Sequence, residues 1–150
     1  MEALLQLGMV SELPSEAQNC ETSASEAKDY FVVRDGVKFA GTHLIIDLWE
    51  ATNLADPEHI DAVLREAAIA TGATILHGHF HHFGPNSGVS GVLVLAESHV
   101  SIHTWPERDY AALDIFVCGA CNPYNAIPVL KKGFLPGRVQ LAENKRGMIA

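Results

Sequence analysis

The chain has 150 residues, 48% of them hydrophobic, enough apolar material for one domain with a real core. A formal charge of -8 argues against nucleic acid and anionic membranes as partners. Three cysteines, an odd number, make no disulfide framework; no run reaches transmembrane length; and MEALLQLGMV lacks the basic start and cleavage signature of a leader, so the expected compartment is the cytoplasm.

Residues 1–29 are rich in Ser, Glu and Ala without an apolar period. They read as a flexible extension ahead of a single domain at 30–150. MEALLQLGM has the makings of a short amphipathic turn or helix, and Cys20 lies in this stretch without evident chemistry. GTHLIIDLWEA (41–51) predicts a strand, with Thr42, Leu44, Ile46 and Leu48 on one face and His43, Ile45, Asp47 and Trp49 on the other. Both faces are partly apolar, which suits a central or covered strand. Asp56-Pro57 announces a helix, Asp as N-cap and Pro in the first turn. Its stripe is Ile60, Val63, Leu64, Ala67 and Ala68, and Gly72 ends it.

ATILHGHFHHFGPNSG (73–88) predicts a strand and a loop. His77, His79 and His81 share one face and His82 the other. Three such imidazoles are a metal-ligand pattern, but no acidic or Cys partner and no open position accompanies them. A polar, partly solvated sheet face or an interface is the better reading, and no metal is expected. Phe83 alone is equally a core residue or a ring at a site. Ser90 alone is a strand-entry serine.

GVLVLAE (91–97) and the residues from Val100 predict two strands, with the Glu97-Ser98 bond near their junction. Ser101, His103 and Trp105 point one way, Val100, Ile102 and Thr104 the other. Glu107 follows Trp105-Pro106 in a turn, where a solvated carboxylate is the plain alternative to a functional one. AALDIFVCG (111–119) is the next strand, with Ala112, Asp114, Phe116 and Cys118 on one face. Asp114 is placed to orient or repel Cys118. Cys118 and Cys121 form C-x-x-C, but no second ligand pair supports zinc and no helix start follows the first Cys directly. Cys118 therefore ends a strand and Cys121 lies in a turn. The second predicted helix runs from Pro123 to about Lys132, with Tyr124, Ile127 and Leu130 toward the core and a kink or a shortened first turn at Pro128. RVQLAEN (138–144) is a final strand and KRGMIA a tail.

This order predicts an α/β two-layer sandwich: a mostly antiparallel sheet with two helices on one face. The bare face must be covered, and a homodimer is the simplest cover.

ESHVSIHTWPE (97–107), preceded by GVSGVLVLAE and followed by YAALDIFVCG, closely resembles the bacterial and archaeal S-adenosylmethionine decarboxylase proenzymes. The resemblance runs from about Phe39 to about Gly147 and is dense between Gly72 and Gly119. It implies self-cleavage between Glu97 and Ser98, giving a beta chain 1–97 and an alpha chain 98–150. It also implies conversion of Ser98 to a pyruvoyl group, with no pyridoxal phosphate. Such a group forms a Schiff base with the substrate amine and takes up the electrons left when carbon dioxide departs. The self-cleavage needs a hydroxyl nucleophile, a base and oxyanion donors, parts that Ser98, His103 and Ser90 fit. By resemblance His103 and Ser90 match the processing residues, and Cys118 the catalytic acid, which also assists processing. Phe83 matches an aromatic near the adenine pocket and Glu107 the carboxylate that accepts from the ribose hydroxyls. The family also implies dimers with active sites at or near the interface.

The reading that follows is pyruvoyl-dependent decarboxylation of S-adenosylmethionine to the aminopropyl donor of spermidine and polyamine synthesis. The alternative keeps the machinery and changes the substrate to ornithine or arginine. A regulatory subunit that does not process, and a His-rich metal-binding protein, are the readings from other classes.

Overall fold

The computed structural model describes residues 29–96 and 98–149. The expected extension up to residue 28, its amphipathic start, Cys20 and Glu97 lie outside the described residues. Ten elements follow in chain order: β1 (Val32–Arg34), β2 (Val37–Phe39), β3 (Gly41–Trp49), α1 (Pro57–Ala70), β4 (Ile75–His82), β5 (Val89–Leu95), β6 (Ser98–Trp105), β7 (Tyr110–Cys118), α2 (Ala126–Phe134) and β8 (Arg138–Arg146). Single 3-10 turns occupy Pro106–Arg108 and Pro123–Asn125.

Six strands form one antiparallel sheet in the order β4-β5-β6-β7-β3-β8, and β1 and β2 form a separate hairpin. Both helices pack on one face, the predicted two-layer arrangement. Alternation along the strands decides which side chains meet the helices. Leu44, Ile46 and Leu48 of β3, Val100 and Ile102 of β6, and Leu113, Ile115 and Val117 of β7 join Ile60, Leu64, Ala67 and Ala68 of α1 in the core.

The start of α1 forms as its sequence dictates. Asp56 Oδ1 accepts from the N–H groups of Glu58 and His59 at 3.0 and 3.1 Å, satisfying two donors of the first turn. Gly72 has φ +89°, beyond the Thr71 cap. Gly133 of α2 lies so close to α1 that a Cβ there would sit 2.6 Å from both methyls of Val63.

The second helix differs from expectation. Residues 123–125 wind as a 3-10 turn capped by Asn122, and α2 starts at Ala126. The change from 3.6 to 3.0 residues per turn shifts the phase. Ala126, Leu130 and Phe134 are buried, while Tyr124 is exposed and donates from its hydroxyl to Glu143. Pro128 is the third residue of α2, where the N–H has no intrahelical partner, and the expected shortening appears as the 3-10 turn that replaces the first α-turn. The β1–β2 hairpin, turning at Asp35-Gly36, was not expected either. Ile149 of the expected tail bridges Lys38. No helix among the described residues is long and apolar enough to cross a membrane.

The outer sheet face is mixed. Across it run the rows His81–Ser90–His103–Ala112–Asp47, His79–Val92–Ser101–Asp114–Ile45 and His77–Val94–His99–Phe116–His43. Ile45, Val92, Val94 and Trp105 are exposed on this face.

Candidate active site

β5 and β6 form a hairpin whose two ends carry different chemistry. Ser98 opens β6 at the turn, paired with Leu95, on the inner face and 9% exposed. The register of β6 against β7 begins at His99–Phe116, so Cys118 lies beyond it. The Cys118 N–H donates instead to Ser98 Oγ at 3.2 Å. Ser98 Oγ donates in turn to Cys118 Sγ at 3.5 Å. A buried hydroxyl thus touches one thiol and one backbone donor at the start of a strand.

Cys118 leads into a turn in which Cys121 N donates to the Cys118 carbonyl at 3.4 Å and Gly119 takes φ +60°. Both thiols line a cleft of about 690 Å3 with Tyr30 and Ala96. Burial, with Cys118 close by, pushes the Cys121 thiol up, so Cys121 stays protonated and a poor nucleophile.

At the other end of the hairpin Ser90 faces His103, its Oγ 2.9 Å from His103 Nδ1. These two line a cleft of about 370 Å3 with Phe83, Gly88, Trp105 and Glu107. The Phe83 ring is exposed and stands edge-on to His81 at 4.7 Å, so core packing is not its role. Glu107 is carried in by the 3-10 turn that Pro106 begins. Gly88 lets the preceding loop touch β6, because a Cβ there would lie 2.1 Å from the Thr104 carbonyl. Thr104 Oγ1 accepts from Val89 N at 2.8 Å and donates to the Leu54 carbonyl at 2.7 Å, which fixes loop and strand together.

The fold therefore groups the predicted residues into two sets. Ser98 and Cys118 meet; Ser90, His103, Phe83 and Glu107 meet. The sets do not meet each other. Ser98 and His103 are five positions apart on one strand, which is roughly 17 Å at a strand's rise, and on opposite faces.

A third group was not expected as a unit. Asp114 Oδ2 accepts from His43 Nε2 at 2.6 Å and His99 Nε2 at 2.9 Å, and Oδ1 accepts from Ser101 Oγ. Burial works against this charge, but the bonds from Ser101, His99 and His43 outweigh it and hold the carboxyl below its ordinary range. Arg146 Nη1 lies 3.2 Å from His43 Nδ1. A guanidinium only donates, so Nδ1 accepts and the His43 proton sits on Nε2, toward Asp114. His43, His99 and Asp114 place ligand atoms within 4.8 Å of one another. That proton assignment makes the cluster a hydrogen-bond network rather than a ready metal site. His77, His79 and His81 lie exposed along edge strand β4 and are not part of it. At the other end of β3, β6 and β7, Trp105, Tyr110 and Trp49 stack at 5.3 and 4.3 Å. The bond from Tyr110 to Asp47, with some burial, raises the phenol to about 12.

Residues 42–147 match the family model described as S-adenosylmethionine decarboxylase. The chain is 44% identical over 114 residues to an S-adenosylmethionine decarboxylase proenzyme of Thermomicrobium roseum, covering 75% of this chain and 98% of that one. It is 44% identical over 116 residues to the proenzyme of Methanococcus maripaludis, covering 75% and 94%. The crystal structure of the adenosylmethionine decarboxylase from Aquifex aeolicus superposes with a TM-score of 0.67 at 31% identity, covering 75% of this chain and 94% of that one.

Proposed function

The chain belongs to the S-adenosylmethionine decarboxylase family, and on that footing we propose that it is a self-processing carboxy-lyase that decarboxylates S-adenosylmethionine through a pyruvoyl group made from Ser98. The observation that carries the reading is the buried Ser98 hydroxyl held between the Cys118 N–H and thiol. The Ser98 oxygen attacks the Glu97 carbonyl and the peptide becomes an ester. Elimination then sends that oxygen away with the Glu97 carboxylate. Dehydroalanine remains, tautomerises and takes up water to give the α-keto end and ammonia.

When formed, the pyruvoyl group supplies an electron sink for the carbanion left by decarboxylation. Cys118, already within reach of that end, returns a proton to the product carbon. Phe83 and Glu107 share the cleft of Ser90 and His103 and hold the nucleoside part, the ring for stacking and the carboxylate for the ribose hydroxyls. That pairing favours S-adenosylmethionine over ornithine or arginine, neither of which carries a ring or a ribose.

The two residue sets are too far apart to act together within one chain. The reading therefore places the Ser98 and Cys118 of one copy against the Ser90, His103, Glu107 and Phe83 of a second. The exposed Ile45, Val92, Val94 and Trp105 offer the apolar surface for that contact. A homodimer with two shared sites follows, in a cytoplasmic enzyme that feeds aminopropyl transfer.

The deciding measurement is the intact mass of the purified protein under denaturing conditions. The expected result is two chains of roughly 10 and 6 kDa by length share, the shorter one light by one ammonia. One uncut chain would overturn the reading. Turnover of ornithine or arginine but not S-adenosylmethionine by the cut protein would move it to the basic amino acids.

A further inference from the structure

Self-processing removes the atom that anchors the new chain end. In the uncut chain Ser98 is held by its own Oγ, which bonds both the N–H and the Sγ of Cys118. The elimination carries that oxygen off with Glu97. The cut end keeps a backbone partner on β5, Leu95, but its first partner on β7 is one residue further in, His99 against Phe116. A free strand end with few bonds frays, and a frayed end cannot present a reacting carbon to Cys118.

We propose that Asp114 is a positioning residue that clamps the cut end of β6 through His99 and Ser101. This rests on the pyruvoyl reading above. The geometry is that of a staple across three strands: His99 and Ser101 stand one and three places after the new chain end at residue 98, and both donate to Asp114 on β7. Asp114 is itself steadied by His43 of β3, whose proton is fixed toward it by Arg146 of β8. These bonds lie on the outer face, whereas Ser98 lies on the inner one, so the chemistry at Ser98 leaves them intact. Charge-assisted bonds to a carboxylate are among the stronger side-chain bonds available to such a job. The groups facing the carboxylate are His43 and Ile45 of β3, His99 and Ser101 of β6, and Arg146 of β8 behind His43.

A clamp for the cut end should matter after the cut and little before it. The experiment compares hydrogen exchange of residues 99–102 in four proteins: the processed enzyme, processed Asp114→Asn, and each of them again in an uncut His103→Ala background, which keeps Ser98 Oγ and its bonds to Cys118. Asp114→Asn should speed exchange about tenfold in the cut protein, the scale of one charged hydrogen bond, and less than about twofold in the uncut one. Turnover per titrated pyruvoyl should fall with KM little changed, and inactivation by transamination should rise. Ser101→Ala, which leaves β7 untouched, should show the same pattern more weakly if Asp114→Asn folds poorly. Equal acceleration in cut and uncut forms, or unchanged turnover per pyruvoyl, overturns the clamp. Failure of the parent protein to process at all overturns instead the reading beneath it.

Discussion

Mixing two inactive variants separates the shared site from a site within one chain. Ser98→Ala has no nucleophile, and His103→Ala has no imidazole opposite Ser90. Within one protomer Ser98 and His103 stand roughly 17 Å apart along β6, whereas a base works at about 3 Å or through one water. In a two-fold dimer each site takes one set from each copy. A mixed dimer of the two variants then holds one site with both residues intact and one with neither. Random assortment makes half the dimers mixed, and half of their sites are whole. Co-expression should therefore restore about a quarter of the wild-type rate, and intact mass should show cleavage in His103→Ala chains alone. Separately purified variants should each be inactive and uncut. Two outcomes would refute the reasoning: no cleavage in co-expressed chains, which would place both residues in one protomer's site, or normal cleavage of His103→Ala by itself, which would remove His103 from the chemistry.

Other expectations follow from single contacts. Cys118→Ala should process or turn over slowly, by roughly a hundredfold or more in rate, with more transamination of the pyruvoyl group seen by mass; normal turnover would take the acid role from Cys118. Glu107→Ala should lose about tenfold or more in kcat/KM for S-adenosylmethionine, and unchanged turnover would remove Glu107 from the substrate cleft. The Asp114 carboxyl is lowered from an ordinary value of 3.8, so its stabilisation is full above that value and disappears as pH falls through the lowered one. The gap in melting temperature between wild type and Asp114→Asn should accordingly narrow between pH 5 and pH 2, as scanning calorimetry can check; a gap that widens in acid would contradict the sign. Phe134→Ala empties a fully buried ring position at the end of α2, edge-on to His59 of α1, and should cost about 3–5 kcal/mol in urea unfolding.

Much of the fold was legible because alternation and capping are local. The two faces of β3 and the stripe and cap of α1 appear as read. The β1–β2 hairpin had a plain signal as well, Asp35-Gly36 between two short β-branched runs, the usual mark of a two-residue turn. Tyr124 was misplaced because a 3-10 start shifts the helical phase, and nothing in the spacing announces that. The pairing of Ser98 with Cys118, and of Ser90 with His103, depends on register between strands, which motif matching gives without distance. The odd interval from Ser98 to His103 did contain the warning that they face opposite ways. The Asp114 network was the least legible part. His43 and Asp114 are 71 positions apart, and only the β7–β3 and β6–β7 registers bring imidazoles and carboxylate together.

If the chain is cut between residues 97 and 98 as proposed, the strand order also sets the mechanical fate of the product. In β4-β5-β6-β7-β3-β8, strands β4, β5 and β3 precede the cut and β6, β7 and β8 follow it. Three of the five seams, β5–β6, β7–β3 and β3–β8, therefore join one fragment to the other, and β3 is wedged between two strands of the shorter piece. The fragments are woven rather than stacked. Pulling them apart means unzipping the middle of the sheet and splitting α1 from α2, so separation and unfolding are one event. The proposed cut beside Ser98 would thus leave a single body.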